Sequence, residues 1–193
     1  MKSKFFRNLL GLALAVVPAS AFAQAANSNV GTITLNATLG ESLTVAVQSG
    51  ATVNFTLASN TATNAGSTPS TIQTAWVLKP GRTVVSIYAW VANGTTALTD
   101  GAGNNIAASQ VSAAATGSGS VGGALNSITG TGGVSLITGN ATGVQIGNVA
   151  ITGANKNSNT TTTLTWNIDT TPTPQLPAAA YTGTVNIQAQ ATP

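Results

Sequence analysis

The sequence predicts an all-β fold, an antiparallel sandwich of two sheets. Apolar and polar residues alternate with a period of two along several stretches, which is the pattern of strands with one buried face. Turn-forming residues separate these stretches, and no apolar repeat of helical period follows residue 23. Many short strands divided by turns are typical of a sandwich.

Residues 1–23 are expected to be a secretory signal peptide. The apolar run at its centre is shorter than the roughly 20 residues that cross a membrane as a helix. Basic residues precede this run and small residues end it, as signal peptidase requires: Lys2, Lys4, Arg7, Ala21 and Ala23. We therefore expect a secreted product, periplasmic, extracellular or associated with the cell surface, with no integral membrane segment after cleavage.

The remaining residues, 24–193, are long enough for a single domain with its own core. The whole chain has six basic and three acidic residues, but three of the basic residues lie in the signal, so the mature chain is neutral. This neutrality argues against a nucleic-acid partner. The chain contains no Cys, so no disulfide is expected.

The first strand of the mature chain is predicted from apolar residues on one face: Ile33, Leu35, Ala37 and Leu39. Later strands are predicted at 43–48, 53–57, 72–79, 83–92, 134–137 and 144–151. Gly147 and Asn148 interrupt the alternation of the last of these and predict a β-bulge there. Two more stretches alternate near the C-terminus, one through Leu164, Trp166 and Ile168 and one through Tyr181, Gly183, Val185 and Ile187.

Turns and loops are predicted between these strands. Residues 79–82, with Pro80 and Gly81, fit a type II turn, and Asp100 followed by Gly101 fits another turn. Residues 112–143 form a segment rich in Gly, Ser and Thr, which we interpret as short strands and mobile loops within the single domain.

Enzyme chemistry is not expected, and neither is a cofactor or a metal. Without His or Cys, the usual nucleophile and base pairs are absent. Glu41, Asp100 and Asp169 are the only carboxylates, and each reads as a turn or strand-end residue. The loop at 100–105 resembles a calcium ligand set most closely, but one carboxylate falls short of the charge that calcium usually requires.

An aromatic pair is the candidate ligand patch. In the strand at 83–92, Tyr88 and Trp90 share the face opposite to Val85, Ile87 and Ala89. Exposed aromatic rings stack on sugars, whereas covered rings only add to packing, and the sequence allows both.

The last strand resembles a known family. Residues 177–189, with Tyr181, Gly183, Val185 and Ile187, are similar to the closing strand of secreted pilin-type sandwiches of the spore coat protein U and chaperone–usher families. The resemblance implies an incomplete immunoglobulin-like sandwich with an open edge, whose subunits polymerise by donated strands. The Cys pair common near the first strands of that family is absent here.

These patterns together predict a non-catalytic, pilin-like structural protein of the cell surface. Its partners would be copies of itself or related surface subunits, because an unpaired strand can add to the sheet edge of another molecule. Residues 24–39 are the candidate donor, and pairing of this stretch within its own sandwich is the other interpretation. The alternative function is a monomeric adhesive module that binds polysaccharide through Tyr88 and Trp90.

Overall fold

Two antiparallel sheets and a short hairpin form the part of the chain that the structure describes. The computed structural model describes residues 28–117, 119–120, 122–125 and 143–193. These residues form strands and one turn of 3₁₀ helix at Ala108–Gln110. The strands are β1 (Ser42–Ser49), β2 (Asn64–Ala65), β3 (Ser70–Val77), β4 (Val84–Val91), β5 (Leu98–Thr99), β6 (Asn105–Ile106), β7 (Val111–Gly117), β8 (Gly123–Ala124), β9 (Gly143–Ala150), β10 (Asn157–Ile168) and β11 (Val185–Thr192).

The larger sheet has the strand order β1-β3-β10-β7-β8, and β2 pairs with the end of β10. The smaller sheet has the order β11-β4-β9, and β5 pairs with β6 in the hairpin. Every pairing is antiparallel. The predicted all-β, antiparallel fold is therefore confirmed.

The core lies between the inward faces of the two sheets. From the smaller sheet it takes the face of β4 that the alternation predicted, with Val85, Ile87 and Ala89 fully buried. From the larger sheet it takes Trp76 and Trp166, which belong to the same apolar cluster. Alternation works here because successive side chains of a strand point to opposite faces, and one face meets the other sheet.

The chain divides into two units, Met1–Thr38 and Leu39–Pro193. In the first unit, residues 28–38 belong to no helix or strand, and Ile33 and Leu35 are 87% and 88% exposed. The second unit holds all the strands described above, and its first residue, Leu39, is 80% exposed. The strand predicted through Ile33 and Leu39 is thus not formed in the single chain.

Other local predictions have mixed outcomes. β9 does contain a bulge opposite Ile87 and Tyr88, but the extra residue is Ile146, and Gly147 and Asn148, where the bulge was predicted, pair in register. Residues 79–82 do form a turn, with the Arg82 N–H donating to the Lys79 carbonyl at 3.2 Å, but Gly81 has no positive φ and the type II assignment is wrong. The predictions at 1–23 and 134–137 lie outside the described residues.

Candidate assembly site

An open apolar groove of about 950 Å³ lies between the edges of the two sheets. Its lining includes residues of the buried core, among them Ile72, Val91 and Ile168, none of which is more than 2% exposed. Interiors of proteins are packed without voids of this size, so the described residues leave the sandwich unfilled along this side. The walls are two extended segments: Val53, Phe55 and Leu57 on the larger sheet, and Tyr181, Val185 and Ile187 on the smaller.

The first wall continues the larger sheet beyond the end of β1. Only one bridge, between Phe55 and Gly66, forms where a strand at 53–57 was predicted. Hydrogen bonds from buried Asn64 hold this wall: its Oδ1 accepts from the Ala58 N–H at 2.7 Å, and its Nδ2 donates to the Ile168 carbonyl at 2.9 Å. The wall is therefore fixed to the end of β10 rather than free to fall into the groove.

The second wall is also held in place by backbone hydrogen bonds. Thr99 and Thr182 exchange two backbone hydrogen bonds, at 2.9 and 3.0 Å, which join this wall to the β5–β6 hairpin. Gly183 lies so close to that hairpin that a Cβ on it would stand 1.9 Å from the Ala97 carbonyl oxygen. The Tyr181 hydroxyl donates to the Pro177 carbonyl at 2.8 Å, and burial raises the pKa of Tyr181, to which the nearby Asp100 adds. Tyr181 and Gly183 thus shape the groove.

β11 is an edge strand beside the groove. It pairs with β4 from Val185 to Thr192, and its other side pairs with none of the strands in the described ranges. Such an edge presents backbone N–H and C=O groups that another strand can pair with. None of its residues is buried, although Val185 and Ile187 pack against the core.

The other candidate assembly residues, Ile33, Leu35, Ala37 and Leu39, lie in the exposed stretch before β1. Three of them carry large apolar side chains that are at least 80% exposed. Full burial of one such side chain is worth about 1.5–3 kcal/mol, so this stretch would gain free energy in an apolar site. Among the described residues, no strand occupies the groove, and the stretch 33–39 belongs to no strand.

The three carboxylates do not share a site. Glu41 lies just before β1 and accepts from Arg82 Nε and Nη2 at 2.9 and 3.3 Å. Asp100 and Asp169 lie beyond the other ends of β4 and β10. The hydrogen bond from Arg82 holds the pKa of Glu41 below its ordinary value, and a bond from Thr171 does the same for Asp169. Each carboxylate is therefore engaged in a local structural contact.

The loop at 100–105 is organised by its own hydrogen bonds. Asp100 Oδ1 accepts from the N–H groups of Ala102 and Asn104 at 2.8 and 3.0 Å, and Oδ2 accepts from Asn104 Nδ2 at 2.6 Å. The bond from Asn104 is the main cause of the lowered pKa of Asp100. Both oxygens thus face donors, and within the described ranges no three His, Cys, Asp or Glu side chains cluster as metal ligands do.

The aromatic pair lies on the outer face of the smaller sheet, as the alternation predicted. Tyr88 is 8% exposed and Trp90 is partly buried, although neither belongs to the core cluster. The indole N–H of Trp90 is buried and has no hydrogen-bond partner among the described residues. Little of the Tyr88 ring is open to a flat ligand such as a sugar.

The sequence predicted strands at 53–57 and from Tyr181 onward, but the structure has one bridge at Phe55 and a strand that starts only at Val185, and the groove itself was not predicted. The alternation of Val53, Phe55 and Leu57 predicted a strand without showing that this stretch forms only one bridge, from Phe55 to Gly66, within the described ranges. The stretch 176–184, which leads into and begins the second wall, carried a weaker signal, the cluster of Pro174 and Pro177 beside Leu176. The hairpin of β5 and β6, which holds that wall, was too short for a periodic pattern to identify.

No protein-family model, curated protein or solved structure matches the chain. The resemblance of residues 177–189 to pilin-type sandwiches therefore stays a prediction. Along the described ranges, no helix has the length and hydropathy needed to cross a bilayer.

Proposed function

We propose that this protein is a secreted, non-catalytic assembly subunit of the cell surface, whose copies join by β-strand addition. Residues 33–39 of one copy, here called the donor segment, lie in the open groove of the next copy. The expected export signal at 1–23 would bring the chain to a compartment where such assembly takes place. The proposal agrees with the pilin resemblance of the last strand.

The open groove beside the unpaired edge of β11 is the observation that carries this proposal. A strand placed there would pair with β11 through its backbone and turn alternate side chains into the groove. The donor segment has the required pattern, because Ile33, Leu35, Ala37 and Leu39 recur at every second position. Its polar alternate residues, including Thr34 and Asn36, would face away from the core.

The position of Glu41 favours a second copy over the same chain as the acceptor. Glu41 is held by Arg82 at the end of the sandwich where β1 begins, whereas the groove starts near Val47, toward the other end. Six residues of strand separate these points by about 20 Å. Ala37 is only four residues from Glu41 and reaches about 14 Å, so it and Leu39 cannot enter the groove of their own chain.

The aromatic alternative has less support. A polysaccharide module would need the faces of Tyr88 and Trp90 open to stack on sugar rings. Tyr88 is 8% exposed, which leaves a thin surface for stacking. We therefore propose assembly as the single function.

Deletion of residues 24–39 tests the proposal. The intact mature protein is expected to form filaments, seen by electron microscopy and as high mass in light scattering, while the deleted chain stays monomeric. A synthetic peptide of residues 30–39 should then bind the deleted chain and raise its melting temperature, because a ligand that binds only the folded state stabilises it.

A matched peptide provides the control. It has the same composition, but the apolar residues are moved to consecutive positions so that the alternation is lost, and it should bind at least tenfold more weakly. Equal binding of the two peptides, or filaments formed by the deleted chain, would contradict the proposed role of the donor segment.

A further inference from the structure

The charged side chains of the sandwich lie at its two opposite ends. β10 shows this most directly, because Lys156 immediately precedes it and Asp169 immediately follows it. A strand of 12 residues spans about 40 Å, so these two charges mark the opposite ends of the larger sheet. No described strand of either sheet contains a charged residue.

The end from which β1 starts, here called the root end, is positive. Lys79 and Arg82 lie in the turn between β3 and β4, and the Lys156 ammonium donates to the carbonyls of Pro80 and Arg82. Glu41 neutralises one charge through its ion pair with Arg82, at 2.9 Å. Three cations and one carboxylate leave two positive side-chain charges, and Lys79 is the most accessible, with 73% of its side chain exposed.

The opposite end, here called the groove end, is negative. Asp100 lies at the tip of the β5–β6 hairpin, which holds the second wall of the groove, and Asp169 lies directly after β10. Among the described residues no cation accompanies them there. Both carboxylates accept hydrogen bonds that favour their ionised form, so this end carries two negative side-chain charges at neutral pH.

We propose that the root end of one copy contacts the groove end of the next, so that the two ends form a charge-complementary interface beside the inserted donor segment. This inference rests on the proposed assembly and adds a second contact surface to it. The donor segment joins the sandwich at the root end, through Leu39 and Gly40, so its insertion into a neighbour brings the positive end of one copy toward the negative end of the next. Two groove ends repel each other, as do two root ends.

An interface of this kind between different surfaces does not close on a dimer and continues as a filament. Complementary charges of this size act mainly on the rate of association, and salt screens them beyond about 8 Å at physiological ionic strength. The elongation rate at low salt is therefore the quantity that reports on the two ends.

A double-mutant cycle on the full mature chain provides the test. The variants are Lys79→Glu, the pair Asp100→Asn with Asp169→Asn, and the combination of all three. The Asn substitutions remove the charge and keep the one oxygen that accepts from backbone N–H groups in each loop, while the Asp100 oxygen that accepts from Asn104 Nδ2 becomes an NH₂ group. Elongation at about 20 mM salt is followed by light scattering, and Lys79→Gln provides an intermediate step in charge.

At this salt concentration we expect Lys79→Glu and the Asn pair each to slow elongation roughly threefold to tenfold. The triple variant should be no slower than the Asn pair, because the changed charge at position 79 then faces a neutral end. At about 500 mM salt, where the Debye length is only about 4 Å, all rates should converge. Equal rates of all variants at low salt, or strictly additive losses, would overturn the inference.

The peptide of residues 30–39 separates this inference from the assembly function. It carries no root end, so it should bind the Asn pair as fast as the unchanged groove. Slower peptide binding to the Asn pair would show damage to the groove and overturn the interpretation by charge. If the unchanged chain neither elongates nor binds the peptide, the assembly function itself fails, and the inference fails with it.

Discussion

The donor segment and β11 have the same sequence pattern and opposite structures. Each places apolar residues at every second position, Ile33 and Leu35 in one, Val185 and Ile187 in the other. β11 pairs with β4 over eight residues and packs against the core, whereas the donor segment belongs to no strand and its large side chains are exposed. Alternation therefore specifies a face that can be buried, but pairing requires an available neighbour.

Aspartate on the apolar face of the donor segment is expected to have the largest effect on assembly. Ile33→Asp with Leu35→Asp should abolish filaments, because a charge cannot enter the apolar groove without a partner. The melting temperature of the monomer should stay unchanged, since both side chains are exposed. Light scattering and thermal unfolding measure the two outcomes.

Thr34→Asp, on the polar face of the same segment, is the matched control and should still assemble. Loss of filaments in this control as well would show that charge anywhere in the segment interferes, and the role assigned to alternation would then be wrong.

Truncation to alanine separates the two segments by stability. Ile187→Ala should lower the free energy of unfolding by about 1–3 kcal/mol, since Ile187 is partly buried against the core. Ile33→Ala should change it by less than about 0.5 kcal/mol. Denaturant unfolding of the monomeric form measures both, and equal losses would mean that the donor segment already packs in the single chain.

A methyl group at Gly183 should damage the acceptor side alone. Its Cβ would lie 1.9 Å from the Ala97 carbonyl oxygen, so the second wall of the groove must move away from the β5–β6 hairpin. We expect Gly183→Ala to weaken binding of the peptide of residues 30–39 about tenfold, which corresponds to about 1.4 kcal/mol.

Gly153→Ala is the matched control, because its Cβ would meet nothing within 4 Å. Calorimetric titration of both variants gives the comparison. Unchanged binding by Gly183→Ala would show that the position of this wall does not matter for the acceptor.

The smallest expected effect is on the pH dependence of stability. The pKa values of Glu41, Asp100 and Asp169 are all lowered in the fold, so their contribution is present above the ordinary values of 4.5 and 3.8 and is lost as pH falls through the lowered values. The sequence has no His, so stability should be constant between about pH 5.5 and 8.

Thermal unfolding across this range and down to about pH 2 measures the profile. The variant with Glu41→Gln, Asp100→Asn and Asp169→Asn should lose less thermal stability as the pH falls toward 2. The donor segment holds no titratable side chain, so the affinity for the peptide should not fall with pH in the way that the stability does. A transition between pH 5.5 and 8 would contradict the assignment.

Much of the fold could be predicted from local pattern. The inward face of β4, the burial of Trp76 and Trp166 and the presence of a bulge in β9 all followed from period-two alternation and its interruption. The turn at Gly81 formed, but its type could not be predicted, because Pro at the second position is compatible with type I as well as type II. Hairpins as short as β5 and β6 leave no periodic signal.

The sequence by itself determined that this chain is built of strands with one apolar face, and that it contains neither His nor Cys. Both follow from residue type and spacing, which act locally. Only the tertiary structure decided which apolar faces meet, that the groove between 53–57 and β11 stays open, and that the few charges gather at opposite ends. Those properties depend on contacts between residues far apart in sequence, and no local pattern encodes them.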